Sequence, residues 1–410
     1  MPLFNYQLDS ANKILSAIKN GEKFVLDASD TGSGKTPKTC HILKELDLPF
    51  AIVCPKMVIP TWKRWCAEFG IEPQFILNYE KLKTGKTPYG KFEDGVWKWD
   101  VESNTFFVFD EAHKCKGRES QNGKVLSASK PYRGILLSAT VADNPLDLFH
   151  TGYVLGLHEK SNYWSWAHAH GVRPVNFNVG RRVRRQMVWW GKTEDLAKIR
   201  ASIFPKKGDK VRVSEVPDFP QNNVFADPID YNSPELQKKV AHLNDPDFHD
   251  ITEVRKQIEL LRVPTIAEIA KDREAEGKSV VIFANYHESI DALCKALRCD
   301  NLDGRVSDKK RQEVIANFQS NKKTILVCQI QLGIGIDLHD LHGRPRVSLL
   351  CPTFSAVDLK QAIGRIWRSG AKSPSFQYIL FCANSYEDEV CKKLQKKLKQ
   401  IETLTDGDLQ

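Results

Sequence analysis

Short apolar runs recur along this chain, and amphipathic stretches separate them. In the first half the runs are 24–28 (FVLDA), 50–55 (FAIVCP), 74–79 (QFILNY), 105–110 (TFFVFD) and 134–139 (GILLSA). Each is too short for a core helix and too continuously apolar for a strand with one wet face. That pattern predicts strands of a parallel sheet covered by helices on both faces. Residues 60–70 (PTWKRWCAEFG) read as one covering helix, closed by Gly70. The second half repeats the plan with strands expected at 279–285, 323–329, 346–352 and 376–382, and helices at 287–298 and 308–319. Between the halves, 204–223 (FPKKGDKVRVSEVPDFPQNN) is rich in proline, glycine and charge and reads as a linker. The expected fold class is α/β in two lobes, 1–215 and 216–410.

Composition narrows the function classes. The chain has 410 residues, of which 41% are hydrophobic and 27% charged, as in an ordinary globular protein. No apolar stretch has the length of a membrane span, so no membrane role is expected. The start, MPLFNYQLDSANKIL, lacks the basic-then-apolar layout of a secretory signal. An intracellular protein is expected, cytoplasmic in a bacterial or phage setting and nuclear in a eukaryotic one. The ten cysteines form no Cys-x-x-Cys pair and sit mostly in apolar runs, which predicts reduced, buried thiols rather than zinc ligands or disulfides. His168 and His170 stand apart from other metal-ligand residues and read as a surface pair. The net charge of +9 is compatible with a polyanionic partner but does not establish one.

The chemistry begins at Ser29-Asp30-Thr31-Gly32-Ser33-Gly34-Lys35-Thr36, between a strand and a helical pattern. This is phosphate-loop spacing, with Ser29 where a first glycine would stand. Small residues let backbone N–H groups wrap phosphates at a helix N-terminus. Lys35 would neutralise the β- and γ-phosphates, and the Thr36 hydroxyl would ligate Mg2+. The run 105–110 then ends in Asp110-Glu111-Ala112-His113. An acid at a strand's C-terminal end is placed to hold magnesium, and Glu111 to orient and deprotonate an attacking water.

DEAH (110–113), LLSAT (136–140) and QAIGRIWR (361–368), in that order, resemble motifs II, III and VI of the superfamily 2 helicases and translocases. The resemblance covers nearly the whole chain. It implies two RecA-like lobes with ATP in the cleft between them. FNYQLDSA is similar to the adenine-recognising Q motif, with Gln7 in the key place and Tyr6 as its stacking neighbour. The Swi/Snf-like branch is the nearer likeness. AIVCPKMVIPTWKRW resembles its motif Ia, with Pro55 and Trp62 in register, and ILNYEKL its next DNA-contacting segment. The second-lobe segments 280–293, 301–318 and 332–340 follow its order, and QAIGR (361–365) is its form of motif VI. Val141, Trp367 and Ser369 depart from the branch's usual residues, and the insertions of larger chromatin remodellers are absent.

In the second lobe the resemblance gives Arg365 and Arg368 to the γ-phosphate as arginine fingers. Three apart on one helix, they would share a face. Gln361 would report the nucleotide state. Gly333 and Gly335 would allow close backbone approach, and Asp337 would bond ribose or an arginine. His113, Ser138 and Thr140 are the candidates for coupling hydrolysis to lobe movement, although strand-end hydroxyls also serve merely to satisfy backbone groups. The arginines of 181–192 (RRVRRQMVWWGK) suit phosphates, whereas Trp189 and Trp190 read as anchors of a flap on the first lobe. The implied function is an ATP- and Mg2+-dependent monomeric motor that translocates on DNA and remodels duplex, forked or branched substrates. An RNA helicase, a DNA-binding scaffold, and a motor subunit for a nuclease or a replication or recombination partner remain the alternatives.

Overall fold

The computed structural model describes residues 3–179, 182–229, 251–332, 336–353 and 355–382, with 387, 391, 392 and 395. They fall into two compact units, one running to Val216 and the other starting at Pro217.

The first unit is built on six parallel strands: β1 (Phe24–Asp27), β2 (Phe50–Cys54), β3 (Phe75–Asn78), β6 (Phe106–Asp110), β7 (Arg133–Leu137) and β10 (Gly208–Asp209). Their order across the sheet is β10-β1-β7-β6-β2-β3. Two antiparallel hairpins stand apart from it, β4 (Gly90–Glu93) with β5 (Val96–Trp99), and β8 (Val172–Val179) with β9 (Arg182–Trp189). Alternate strand residues face opposite sides, and both sides are dry. Val25, Ile52, Val108 and Ile135 pack under α1 (Asn5–Lys19), α2 (Lys35–Leu46) and α3 (Ile59–Phe69). Leu26, Val53, Phe109 and Leu136 pack under α4 (Tyr79–Lys83), α5 (Gln121–Ser127) and a later helix, Thr193–Ile203. This two-sided burial is the reason the strands read as continuous apolar runs. Gly70 ends α3 in a left-handed conformation, φ 66°, that glycine adopts without strain.

The second unit repeats the plan. Its parallel strands are β11 (Asn222–Ile229), β12 (Ser279–Ala284), β13 (Asp300–Leu302), β14 (Ile325–Gln329), β15 (Arg346–Leu350) and β16 (Ser375–Cys382). Their order is β11-β16-β15-β12-β14-β13. Ile282, Val327, Val347 and Leu349 pack against Ile266, Ile290 and Leu293 of the helices Val263–Ala275 and His287–Leu297.

The stretch 204–223 is not a simple linker. Gly208–Asp209 forms the edge strand beside β1, Val213 is buried, and β11 begins at Asn222. The backbone explains this: Leu26 N donates to Lys207 O at 2.8 Å and Ala28 N to Asp209 O at 3.0 Å. A two-residue strand completes the ladder of β1 without an apolar run to announce it.

Candidate functional site

Neighbouring parallel strands gather the polar residues of the first unit. Asp27 of β1 is level with Leu137 of β7, and Leu137 is level with Asp110 of β6. The phosphate loop, Ser138–Thr140 and Asp110–His113 therefore leave the sheet side by side at its C-terminal edge, where open α/β sheets bind ligands.

The loop is shaped by Gly32 and Gly34, both at φ 84°. Gly34 caps α2, and a Cβ there would lie 2.0 Å from Gln7 Nε2. Gln7 donates through that nitrogen to Ser33 O at 2.9 Å, and its Oε1 accepts from Phe4 N at 3.1 Å. Tyr6 Oη also donates to Ser33 O, at 3.2 Å, while its ring stacks on Phe4. Lys35 Nζ donates to Ser29 O at 2.7 Å and Asp30 O at 3.1 Å. Burial pushes its ammonium below the usual range, and the charges of Asp27, Glu111, Asp110 and Asp30 offset only part of that. Thr31 lies in the half-buried part of the loop, and Thr36 follows Lys35 in the first turn of α2.

Beneath the loop lies a buried ion pair that sequence reasoning missed. Lys38 Nζ is 2.9 Å from Asp27 Oδ2 and donates to Ser10 Oγ at 2.7 Å and Ser29 Oγ at 3.0 Å. Burial pushes the Asp27 carboxyl up, but Lys38 and Lys35 more than offset it and hold it below the usual range. Ser29, in the first-glycine position, also accepts from Val211 N at 3.0 Å, so its hydroxyl is a structural tie. Lysine is rarely buried, so position 38 carried no signal in the sequence.

Asp110 is held from several sides. Trp62 Nε1 donates to its Oδ2 at 2.9 Å, Glu111 N to its Oδ1 at 2.9 Å, and Tyr79 Oη to its main-chain oxygen at 2.8 Å. Burial and then the neighbouring Glu111 carboxylate push Asp110 up to about 7. Glu111 itself sits at φ 54°, a left-handed conformation that costs a non-glycine residue on the order of 1 kcal/mol. The Asp110 carboxylate and the Thr36 hydroxyl are hard oxygen donors, the chemistry that a divalent cation such as Mg2+ takes.

His113, Ser138 and Thr140 come together. His113 Nδ1 lies 3.2 Å from Glu111 Oε2 and 3.3 Å from Ser138 Oγ, and Thr140 N donates to Ser138 Oγ at 3.3 Å. Ser138 thus satisfies a backbone group and also links β7 to the acidic segment. Lys116 adds a second link, 3.4 Å from Asp143 Oδ1 and 3.1 Å from Asp147 Oδ2.

In the second unit, Gln361 and Arg365 are buried on the helix Ala356–Ile366. Arg365 Nη1 donates to Ile336 O at 3.3 Å. The helix ends at Ile366, so Arg365 and Arg368 do not share a helical face as expected. Trp367 takes an extended backbone, donates to Pro220 O at 2.6 Å and meets the Phe219 ring edge-on, which draws the chain off the helical path. Arg368 Nε instead lies 2.8 Å from Asp337 Oδ1, an arginine being one of the two partners, ribose or an arginine, expected for that aspartate. Gly333 and Gly335 lie outside the described residues, as does Arg181.

Trp189 Nε1 donates to His170 O at 2.9 Å and packs on the first unit's core, but Trp190 is 68% exposed and anchors nothing. His168 and His170 bond main-chain oxygens of Val172 and Trp166. Among the described residues no three or more His, Cys, Asp or Glu side chains are grouped to hold a metal ion, no helix is long and apolar enough to cross a membrane, and no cysteine is in a disulfide.

Residues 259–370 match the family model described as "Helicase conserved C-terminal domain". The chain is 33% identical to a putative ATP-dependent RNA helicase of Acanthamoeba polyphaga mimivirus, over 100% of this chain and 84% of that protein. The chain belongs to the superfamily 2 helicases. Proteins of this family are nucleic-acid-dependent ATPases, and this helicase is one. It is also 29% identical to the human DNA repair and recombination protein RAD54-like, over 32% of this chain and 18% of that protein. Among solved structures, Saccharomyces cerevisiae Dbp5 bound to RNA and ADP BeF3 is similar at a TM-score of 0.52 and 14% identity, covering 96% of this chain and 88% of that one. That likeness bears out the pair of RecA-like parallel-sheet lobes in this helicase.

Proposed function

We propose that this helicase is a DNA translocase that uses ATP hydrolysis to move on duplex DNA and to remodel forked or branched substrates. The observation that carries the reading is the row Asp27, Leu137 and Asp110, which brings the phosphate loop and the Asp110–Glu111 segment out of the sheet side by side. In this reading Gln7 recognises adenine. The N–H groups of Thr31 to Thr36 and the Lys35 ammonium hold the phosphates. Mg2+, held by Thr36 and Asp110, would neutralise charge on the transferred phosphate. Glu111 takes the proton of the attacking water, oriented by His113. Arg365 and Arg368 stabilise the transition state, with Gln361 reporting the phosphate and Asp337 holding Arg368 in reserve. His113, Ser138 and Thr140 pass the change onward through their shared contacts.

Duplex DNA as the track is supported by the RAD54-like relatives, whose name states DNA repair and recombination, and by the net charge of +9. A second reading, movement on RNA, is favoured by the mimivirus relative, whose similarity spans the whole chain. A triplex-displacement assay separates them. Translocation on duplex DNA predicts ATP-dependent release of a third strand, abolished by Lys35→Ala. Release of a strand from RNA duplexes alone would favour the second reading, and release from neither substrate would refute translocation.

A further inference from the structure

One cavity of the first unit lies away from the phosphate loop and the Asp110–Glu111 pair. Its volume is about 480 Å3, and Lys83, Lys91 and Lys124 line it together with Gln121 and Phe92. No carboxylate lines it. The three lysines come from separate elements: the end of α4, strand β4, and the middle of α5. Gathering like charges around one space is unfavourable and gives folding nothing in return. Neighbouring acids compensate only in part. Glu93 pairs with Lys91 at 2.9 Å but is shared with Lys98 at 2.6 Å, and Glu119 approaches Lys124 only to 3.9 Å. Lys83 has no ion pair among the described residues. The space is within the range of ligand sites, about 300–1,000 Å3. Its polar wall does not suit an apolar ligand. Ammonium groups around one aromatic ring suit a phosphodiester and its sugar.

The mounting of these lysines gives the cavity a second property. Tyr79, the first residue of α4, is buried and donates its hydroxyl to Asp110 O at 2.8 Å. Four residues later the same short helix carries Lys83. Asn122, in α5, donates through Nδ2 to Lys114 O at 3.0 Å, and Lys124 lies two residues on. Both lysine-bearing helices are thus hydrogen-bonded to the segment 110–114 that holds the acidic pair. A ligand that draws Lys83 and Lys124 toward itself pulls on that segment at two points.

We propose that this cavity binds a backbone phosphate of the nucleic-acid strand, and that occupancy reaches Asp110 and Glu111 through Tyr79 and Asn122. This rests on the nucleic-acid motor reading. It adds the place where the strand is felt by the hydrolysis site. Lysines act as point charges without the planar fork of arginine, so the contact reads charge and spacing rather than sequence.

The test uses the full chain, binding labelled duplex DNA over a range of salt, with the ATPase rate followed at the same time. Each duplex phosphate contact contributes about 0.9 to the slope of log affinity against log salt, so Lys83→Ala/Lys124→Ala, which removes the one contact, is expected to lower the slope by about 0.9. The half-saturating DNA concentration for ATPase should rise roughly tenfold or more. Lys83→Arg/Lys124→Arg keeps the charge and should keep the slope, which separates lost phosphate contact from damaged folding. Tyr79→Phe should leave affinity and slope unchanged and lower the ratio of DNA-saturated to DNA-free ATPase rate. Wild-type binding with an unchanged slope in the alanine variant would overturn the site. An unchanged rate ratio in Tyr79→Phe would overturn the relay. Tripolyphosphate supplies the other source of phosphate: calorimetric binding lost in the alanine variant, with the DNA slope unchanged, would make the cavity a free-polyphosphate site and overturn the strand assignment. If wild type binds no nucleic acid, the motor reading itself has failed, and this inference with it.

Discussion

Trp62 Nε1 and Asp110 Oδ2 form a 2.9 Å hydrogen bond with the indole fully buried. The tryptophan is on α3 and the carboxylate at the end of β6, two strands into the sheet. The bond fixes one oxygen of the carboxylate and favours its charged form against burial and Glu111. Trp62→Phe keeps much of the packing and removes the donor. A hydrogen bond to a charged group contributes about 1.5–3 kcal/mol, so kcat for ATP hydrolysis should fall roughly tenfold or more. Steady-state rates across a magnesium titration check this, and a change of less than about twofold would contradict the assigned role.

The Lys38–Asp27 pair is buried at both ends. Removing one partner of such a pair leaves an uncompensated charge and costs about 3–5 kcal/mol. Lys38→Met should lower the unfolding free energy by that amount in urea titrations. Adding Asp27→Asn, which keeps an acceptor for Ser29 N, should recover part of the loss. Equal stability of Lys38→Met and wild type would show that the pair contributes nothing net.

His150 is buried, with Nδ1 2.7 Å from Ser127 Oγ and Nε2 3.0 Å from Arg118 O. Burial pushes it down to about 4. An unfolded histidine titrates near 6.5. Between those values the unfolded chain binds a proton that the folded chain refuses. Its stabilising contribution is therefore full above pH 6.5 and is lost as pH falls toward 4. From pH 7 to pH 5 wild type should lose about 2 kcal/mol more than His150→Gln, measured by urea unfolding at each pH. Parallel losses in the two proteins would contradict it.

Arg368 and Asp337 are 21% and 46% exposed, so their ion pair contributes little to stability, about 0–1 kcal/mol. If Arg368 acts on the γ-phosphate, Arg368→Ala should lower kcat by about 10³-fold or more while the melting temperature hardly moves. A stability loss with an unchanged rate would make the arginine a clip for Asp337 instead.

The sequence made the chemistry legible where local pattern and function coincide. The strands β1, β2, β6 and β7 are buried on both faces and appear as apolar runs, and Lys35, Asp110 and Glu111 follow directly at their ends. The misses have separate causes. β11 was hidden in a polar stretch containing Pro228, which an edge strand tolerates. The hairpin of β4 and β5 did carry a signal, Asp94-Gly95, and both residues adopt the positive φ of a tight hairpin turn. The break between Arg365 and Arg368 came from Trp367 bonding Pro220, a contact 147 residues away in sequence that no helical periodicity encodes. The buried Lys38 was invisible because its partner Asp27 is recognisable only once β1 and α2 are in place.

Movement on DNA driven by ATP is tested by the steady-state ATPase rate with single-stranded, duplex, forked and four-way DNA and with single-stranded RNA. Glu111→Gln serves as the control. A motor that moves on DNA should be strongly stimulated by duplex or branched DNA, and Glu111→Gln should abolish that stimulation. Stimulation by RNA alone, or no stimulation by any nucleic acid, would contradict it.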